Sequence, residues 1–240
     1  MKLETLLPLT STIVTFTFAY FVLARYLRRG GPHNLLWGIG LVFYGLGTLS
    51  EFYSSLAWSP VFFHLWYIGG ALLTAAWLGQ GTIYLLVRRR VIPHVLFALL
   101  IIFSLFGIYR TFAAPLNPSL FDISKPLTEQ YRDIMDTSGA LRLTTIFMNI
   151  YGTIGLVGGA LYSAYLFWRK RVLANRVLGN ILIAAGALMP AAGGTFLALG
   201  SVDWLYLSEL LGAVLMFLGF LRATSPTAVP AASSAQPARS

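Results

Sequence analysis

Seven apolar runs, each long enough to cross a bilayer, constrain this chain more than anything else in it. They cover about residues 5–25, 35–57, 61–87, 91–113, 140–168, 176–200 and 204–222, and each is bounded by charge, proline or glycine. A spanning helix needs roughly 20 apolar residues, because it rises 1.5 Å per residue through about 30 Å of hydrocarbon. Only helices and closed barrels satisfy their backbone polar groups in that medium. The expected fold is an all-α integral membrane protein with seven transmembrane helices in one domain, residues 1–223. Residues 224–240 are rich in Pro, Ala and Ser and read as a disordered cytoplasmic tail. Charged residues make up 10% of the 240, against about 25% in soluble domains. The chain has no cysteine, which excludes disulfides and thiolate metal sites.

The first run reads as a retained helix. Lys2 precedes it and Arg25, Arg28 and Arg29 follow it, the reverse of a signal peptide's charge order. Orientation follows from the cations. With the N-terminus outside, the cytoplasmic side holds the arginines and lysine of 25–29, 88–90 and 169–176, together with Arg222 and Arg239. None of the eight acidic residues falls on that side. The net charge of +9 is therefore mostly an orientation signal and a surface for anionic lipid head groups. Its short basic runs at helix ends do not read as a nucleic-acid site. Trp58, Trp66 and Trp204 near one boundary, and Trp37 and Trp168 near the other, fit an aromatic belt. The expected location is the bacterial cytoplasmic membrane.

Residues 115–139 form the longest loop, on the outer side, and within it Leu127 to Met135 reads as a short amphipathic helix. An internal 3+1+3 parallel repeat is expected from two matching sets: Asn34, Gly38 and Gly45, and Asn175, Gly179 and Gly186. Gly179, Gly186, Gly193 and Gly200 recur every seven residues. Gly152, Gly155, Gly158 and Gly159 crowd the fifth run. Such stripes let helix backbones approach closely.

The informative polar residues lie within the apolar runs. Tyr44, Thr48, Glu51 and Ser55 share one face of the second run at helical spacing. Faces of the same kind are His64, Tyr67, Ala71 and Thr74; Arg142, Thr145, Asn149 and Gly152; and Tyr206, Glu209, Ala213 and Met216. By helical rise, Glu51 and Glu209 lie about 9 and 8 Å below the outer boundary, and His64, Arg110 and Arg142 about 3–5 Å below it. An ionisable residue at such depth is a functional hypothesis by default. The expected ligand-binding set is Glu51, His64, Tyr67, Arg110, Arg142, Asn149, Tyr206 and Glu209. In it, the carboxylates carry charge or protons and the guanidiniums are counter-ions. The structural alternative makes the arginines snorkelling residues and the glutamates locks. Gln80 and Asn180 lie deeper and are expected to bridge helices. No P-loop, HExxH or Gly-x-Ser-x-Gly elbow is present. No catalytic residue, cofactor or metal site is expected.

Seven helices with the N-terminus outside and a 3+1+3 duplication resemble the microbial-rhodopsin arrangement. That resemblance implies topology alone. The family holds retinal on a lysine of the last helix, and the lysines here are Lys2, Lys125 and Lys170. The phrase LWYIGGALLTAAWLGQGTIYLL, Leu65 to Leu86, resembles a segment of uncharacterised bacterial seven-helix membrane proteins. Three function classes follow. The leading expectation is binding of a small molecule or lipid in an outward-facing polar pocket, most naturally in a transporter or channel. The second is a sensor or accessory subunit signalling through a membrane-protein partner or a second copy of itself. The third is an intramembrane enzyme using Glu51 and His64.

Overall fold

The computed structural model describes residues 3–89, 91–170, 174–198 and 202–225, and their side chains apart from those of 3–4, 174 and 191–198. These residues form helices and the turns between them. They are α1 (Leu3–Arg29), α2 (Pro32–Ser54), α3 (Pro60–Leu86), α4 (Val91–Ala113), α5 (Leu127–Ile134), α6 (Gly139–Arg169), α7 (Ala174–Ala198) and α8 (Val202–Thr224). Local chemistry sets the boundaries. Gly30 and Gly31 take φ of 66° and 91°, left-handed conformations that stop α1. Pro32 and Pro60 then open α2 and α3, where the missing N–H costs nothing.

Among the described residues six helices, α1, α2, α3, α4, α6 and α8, are long and apolar enough to cross a membrane. These are the dimensions of a multi-pass membrane protein. The sixth apolar run forms α7, whose side chains from 191 onward lie outside the described residues. The expected tail lies outside them too, apart from Thr224, which ends α8, and Ser225.

Six helices close a ring in the order α1, α2, α3, α6, α7, α8 and back to α1. The fourth helix stands outside the ring, against α3 and α6. Its Val95, Leu99, Ile102, Leu105, Tyr109 and Phe112 are exposed. Glycines set the closest approaches in the ring. A Cβ on Gly79 of α3 would stand 2.7 Å from the Gly152 carbonyl oxygen of α6. One on Gly186 of α7 would stand 2.7 Å from that of Gly212 in α8. No side chain fits at these distances, so van der Waals contact between backbones holds the ring.

Two helices depart from regular α geometry. Trp66–Leu73 in α3 and Ile154–Gly158 in α6 are π-helical. Wider turns leave carbonyls in need of donors, and the Thr74 hydroxyl donates to the Gly69 carbonyl at 2.8 Å. Lower down, the fully buried Gln80 joins three helices. Its Nε2 donates to the Pro93 carbonyl at 2.8 Å, and its Oε1 accepts from the Tyr151 hydroxyl. Asn180 does not bridge in this way; it donates to the Arg176 carbonyl of its own helix.

Candidate functional site: a central cavity under a loop helix

The ring encloses a cavity of about 440 Å³. Its walls follow the polar faces of the helices. α2 supplies Tyr44, Gly47, Thr48 and Glu51, and α3 supplies Trp66, Gly70, Ala71, Thr74 and Ala75. Asn149 and Thr153 come from α6, and Leu205 and Glu209 from α8. Leu78, Leu156 and Met216 form the end nearer the arginine-rich termini. At the opposite end lie Thr128 and Tyr131 of α5.

The fifth helix is a built lid. Leu127, Ile134 and Met135 are buried against Phe63, Trp66 and Tyr67 of α3, and Tyr131 packs on the same cluster. Gln130, 3% exposed, ties the preceding turn: its Nε2 donates to the carbonyls of Asp122 and Lys125, and its Oε1 accepts the Asp122 N–H. The Ser124 hydroxyl and N–H hold the exposed Asp122 carboxyl below the usual carboxylate range. At the far end the Asn117 N–H donates to the Ile134 carbonyl at 2.7 Å.

Glu51 joins lid to ring. It is 4% exposed. Its Oε1 accepts the Leu127 N–H at 2.9 Å and the Tyr206 hydroxyl at 2.8 Å. Leu127 is the first residue of α5, where backbone N–H groups have no partner inside the helix and the dipole attracts negative charge. Glu51 thus supplies from α2 the anchor that α5 lacks locally. Trp66 lies near the same carboxyl, yet Oε2 has no hydrogen-bond partner among the described residues. Glu209 lines the same cavity from α8. The Tyr44 hydroxyl donates to the backbone carbonyl of Glu209 at 2.8 Å, leaving its carboxyl group to the cavity.

The expected site residues therefore separate. Glu51, Asn149 and Glu209 line the cavity, and Tyr206 orients Glu51. Asn149 also donates to the Ala71 carbonyl at 2.7 Å. Tyr67 is buried behind the wall, hydrogen-bonded to Thr145 at 3.0 Å. His64 packs its ring 4.7 Å from that of Phe112, and its Nε2 is buried without a partner. Arg110 is exposed because α4 stands outside the ring. Arg142 is exposed on the first turn of α6. Neither guanidinium lines the cavity. Trp66, Thr128 and Tyr131 do line it. The aromatic-belt pattern placed Trp66 at a lipid boundary, and only the amphipathic pattern of the loop pointed toward Tyr131.

No metal-binding group of three or more His, Cys, Asp or Glu side chains occurs among the described residues. No protein-family model, curated protein or solved structure matches the chain.

Proposed function

We propose that this protein binds a small molecule in its central cavity and moves it across the bacterial cytoplasmic membrane. In this reading all seven apolar runs span the membrane, the N-terminus and α5 lie outside, and the arginine-rich ends lie in the cytoplasm. The charge asymmetry supports that orientation.

One observation carries the transport reading. Below the cavity lies a second space of about 60 Å³, lined mostly by apolar side chains such as Phe18, Val22, Leu41 and Phe220, with Thr82, Ser163 and Asn180 among them. Leu78, Leu156 and Met216 line both spaces. Three apolar side chains thus separate a polar cavity on one side from a smaller void on the other. That is the arrangement alternating access needs: a midplane site with a thin barrier. A sensor subunit needs no second space, and an enzyme built on Glu51 and His64 needs both in one pocket, which His64 does not line.

The absence of native cysteine allows a direct test. Thr48→Cys, in the cavity wall, is expected to react in intact cells with a membrane-impermeant thiol reagent. Asn180→Cys, in the lower void, is expected to stay unreactive from outside. Adding Gly70→Leu should suppress labelling of Thr48→Cys at least tenfold. A Cβ on Gly70 meets only the Gly47 Cα at 3.6 Å, an ordinary contact, so the added side chain fills the cavity and leaves the helices in place. Equal labelling at both cysteines, or labelling of Thr48→Cys unaffected by Gly70→Leu, overturns the reading.

A further inference from the structure

We infer that the ligand of this cavity is an organic cation, an ammonium group carried on an apolar body. The inference rests on the reading of the cavity as a solute site and names the class of solute it takes.

Charge is the first argument. Two carboxylates, Glu51 and Glu209, line one cavity. No Lys, Arg or His of the described residues lines that cavity. The arginines expected to neutralise them, Arg110 and Arg142, are exposed elsewhere. A buried carboxylate is costly unless paired. Among the described residues the cavity lining holds two acids and no base, and a cationic solute complements them. Glu51 carries the same argument at the level of one atom: the side chain is 4% exposed, and its Oε2 has no hydrogen-bond partner among the described residues.

Shape and lining select an organic cation over a metal ion. About 440 Å³ falls in the range of small-molecule pockets, far more than one ion fills. Hard cations take six or more oxygen ligands in a tight shell, and here two carboxylates are spread over a wide cavity of mixed polar and apolar lining. Trp66 and Tyr131 both line the cavity, with ring centroids 5.5 Å apart and planes at 51°. Ammonium groups are attracted to such ring faces within about 6 Å. Thr48, Thr74, Thr153 and Asn149 offer further polar atoms, while Ala75, Leu78, Leu156 and Met216 line an apolar end for the rest of the molecule. Arg132 is the competing charge near the mouth. It is exposed, its guanidinium lies 5.4 Å from the Tyr131 centroid, and it does not line the cavity. It covers one face of the Tyr131 ring and donates its Nε–H to the Tyr131 hydroxyl at 2.9 Å, so Trp66 supplies the ring face for an ammonium group.

Three probes of nearly equal size test the class: phenethylammonium, 2-phenylethanol and 3-phenylpropionate, titrated into purified protein in lipid nanodiscs and followed by calorimetry. The ammonium is expected to bind at least tenfold tighter than the alcohol, and the carboxylate not to bind. Glu209→Gln and Glu51→Gln should each weaken phenethylammonium at least tenfold and leave 2-phenylethanol unchanged. Glutamine keeps the carbonyl oxygen that accepts the Leu127 N–H, so the lid remains docked, and an unshifted thermal melt reports that each variant is folded. Arg110→Gln should change nothing. If alcohol and ammonium bind equally, and neither glutamine variant discriminates between them, the cation class is wrong while the solute-binding reading survives. If no probe binds wild-type protein, the cation class is overturned, and the solute-binding reading is decided by labelling at Thr48.

Discussion

Glu51→Leu is expected to loosen α5 from the mouth of the cavity without detaching it. The substitution removes the Oε1 that accepts two hydrogen bonds, from the Leu127 N–H and the Tyr206 hydroxyl. Bonds to carboxylates contribute about 1.5–3 kcal/mol each, and donors left buried and unpaired cost about 1–3 kcal/mol each. Opposing that loss, Leu127, Ile134 and Met135 stay buried, at about 1.5–3 kcal/mol apiece, and the Gln130 bonds are untouched. Of the two bonds only that from Leu127 ties the loop to the ring, so docking survives with about 1.5–3 kcal/mol less in its favour. Every 1.4 kcal/mol is a factor of ten in an equilibrium, so amide exchange in the loop should accelerate roughly 10–100-fold. Hydrogen–deuterium exchange read by mass spectrometry measures this on peptides from the loop between α4 and α6, with α4 as the internal reference. Glu51→Gln keeps an acceptor oxygen and should stay within a few-fold of wild type. Loop exchange in Glu51→Leu that matches wild type would show that the carboxyl group does not hold the lid.

The loosening matters for function because the same carboxyl group faces the cavity. On the reading proposed above, a cation meets the carboxyl group at Oε2 while Oε1 holds the Leu127 N–H.

Periodicity made part of this legible and concealed the rest for definable reasons. Tyr44, Thr48 and Glu51 on α2, and Glu209 and Met216 on α8, sit on regular helices, and their 3.6-residue spacing led straight to the cavity wall. On α3 the same rule selected His64, Tyr67, Ala71 and Thr74, whereas Trp66, Gly70, Ala71 and Thr74 line the cavity. The π-helical turn from Trp66 to Leu73 explains the slip. An inserted residue rotates everything before it by about 100°, so the extrapolation holds at Thr74 and fails by Tyr67. Arg110 went astray for another reason. α4 is apolar nearly all round, and such a helix carries no sequence sign of lying inside or outside a ring. The link from Glu51 to Leu127 spans 76 positions, and no local pattern encodes it. What the chain did reveal locally was the amphipathic helix itself, expected at Leu127 to Met135 and found at Leu127–Ile134.

Gly152→Ala carries the largest expected cost in stability. A Cβ at that position would fall on the backbone of Ala75 and Ala76 in α3. Backbone atoms cannot rotate away as a side-chain end can, so α3 and α6 must separate. Gly79 faces the same seam, with its own Cβ position 2.7 Å from the Gly152 carbonyl oxygen, which leaves no room for α3 to slide instead. Overpacking costs about 1–3 kcal/mol where side chains can adjust, and this site lies at or beyond the upper end. For a chain of this size, about 3 kcal/mol lowers the melting temperature by roughly 6–12 °C. Gly158→Ala, on the same helix, is the matched control. Its Cβ meets nothing within 4 Å, and alanine favours helix over glycine by about 0.5–1 kcal/mol, so its melting point should hold or rise slightly. Thermal melts of the two variants in detergent, followed by size-exclusion chromatography, give the comparison, and equal shifts would remove the seam as the element that holds the ring closed. The seam also sets the site. Ala75 lines the cavity, and Asn149, three residues before Gly152, reaches the Ala71 carbonyl across the same interface. Forcing the helices apart at Gly152 moves both walls at once, so Gly152→Ala protein that still folds is expected to lose ligand binding, although residue 152 is not part of the cavity lining.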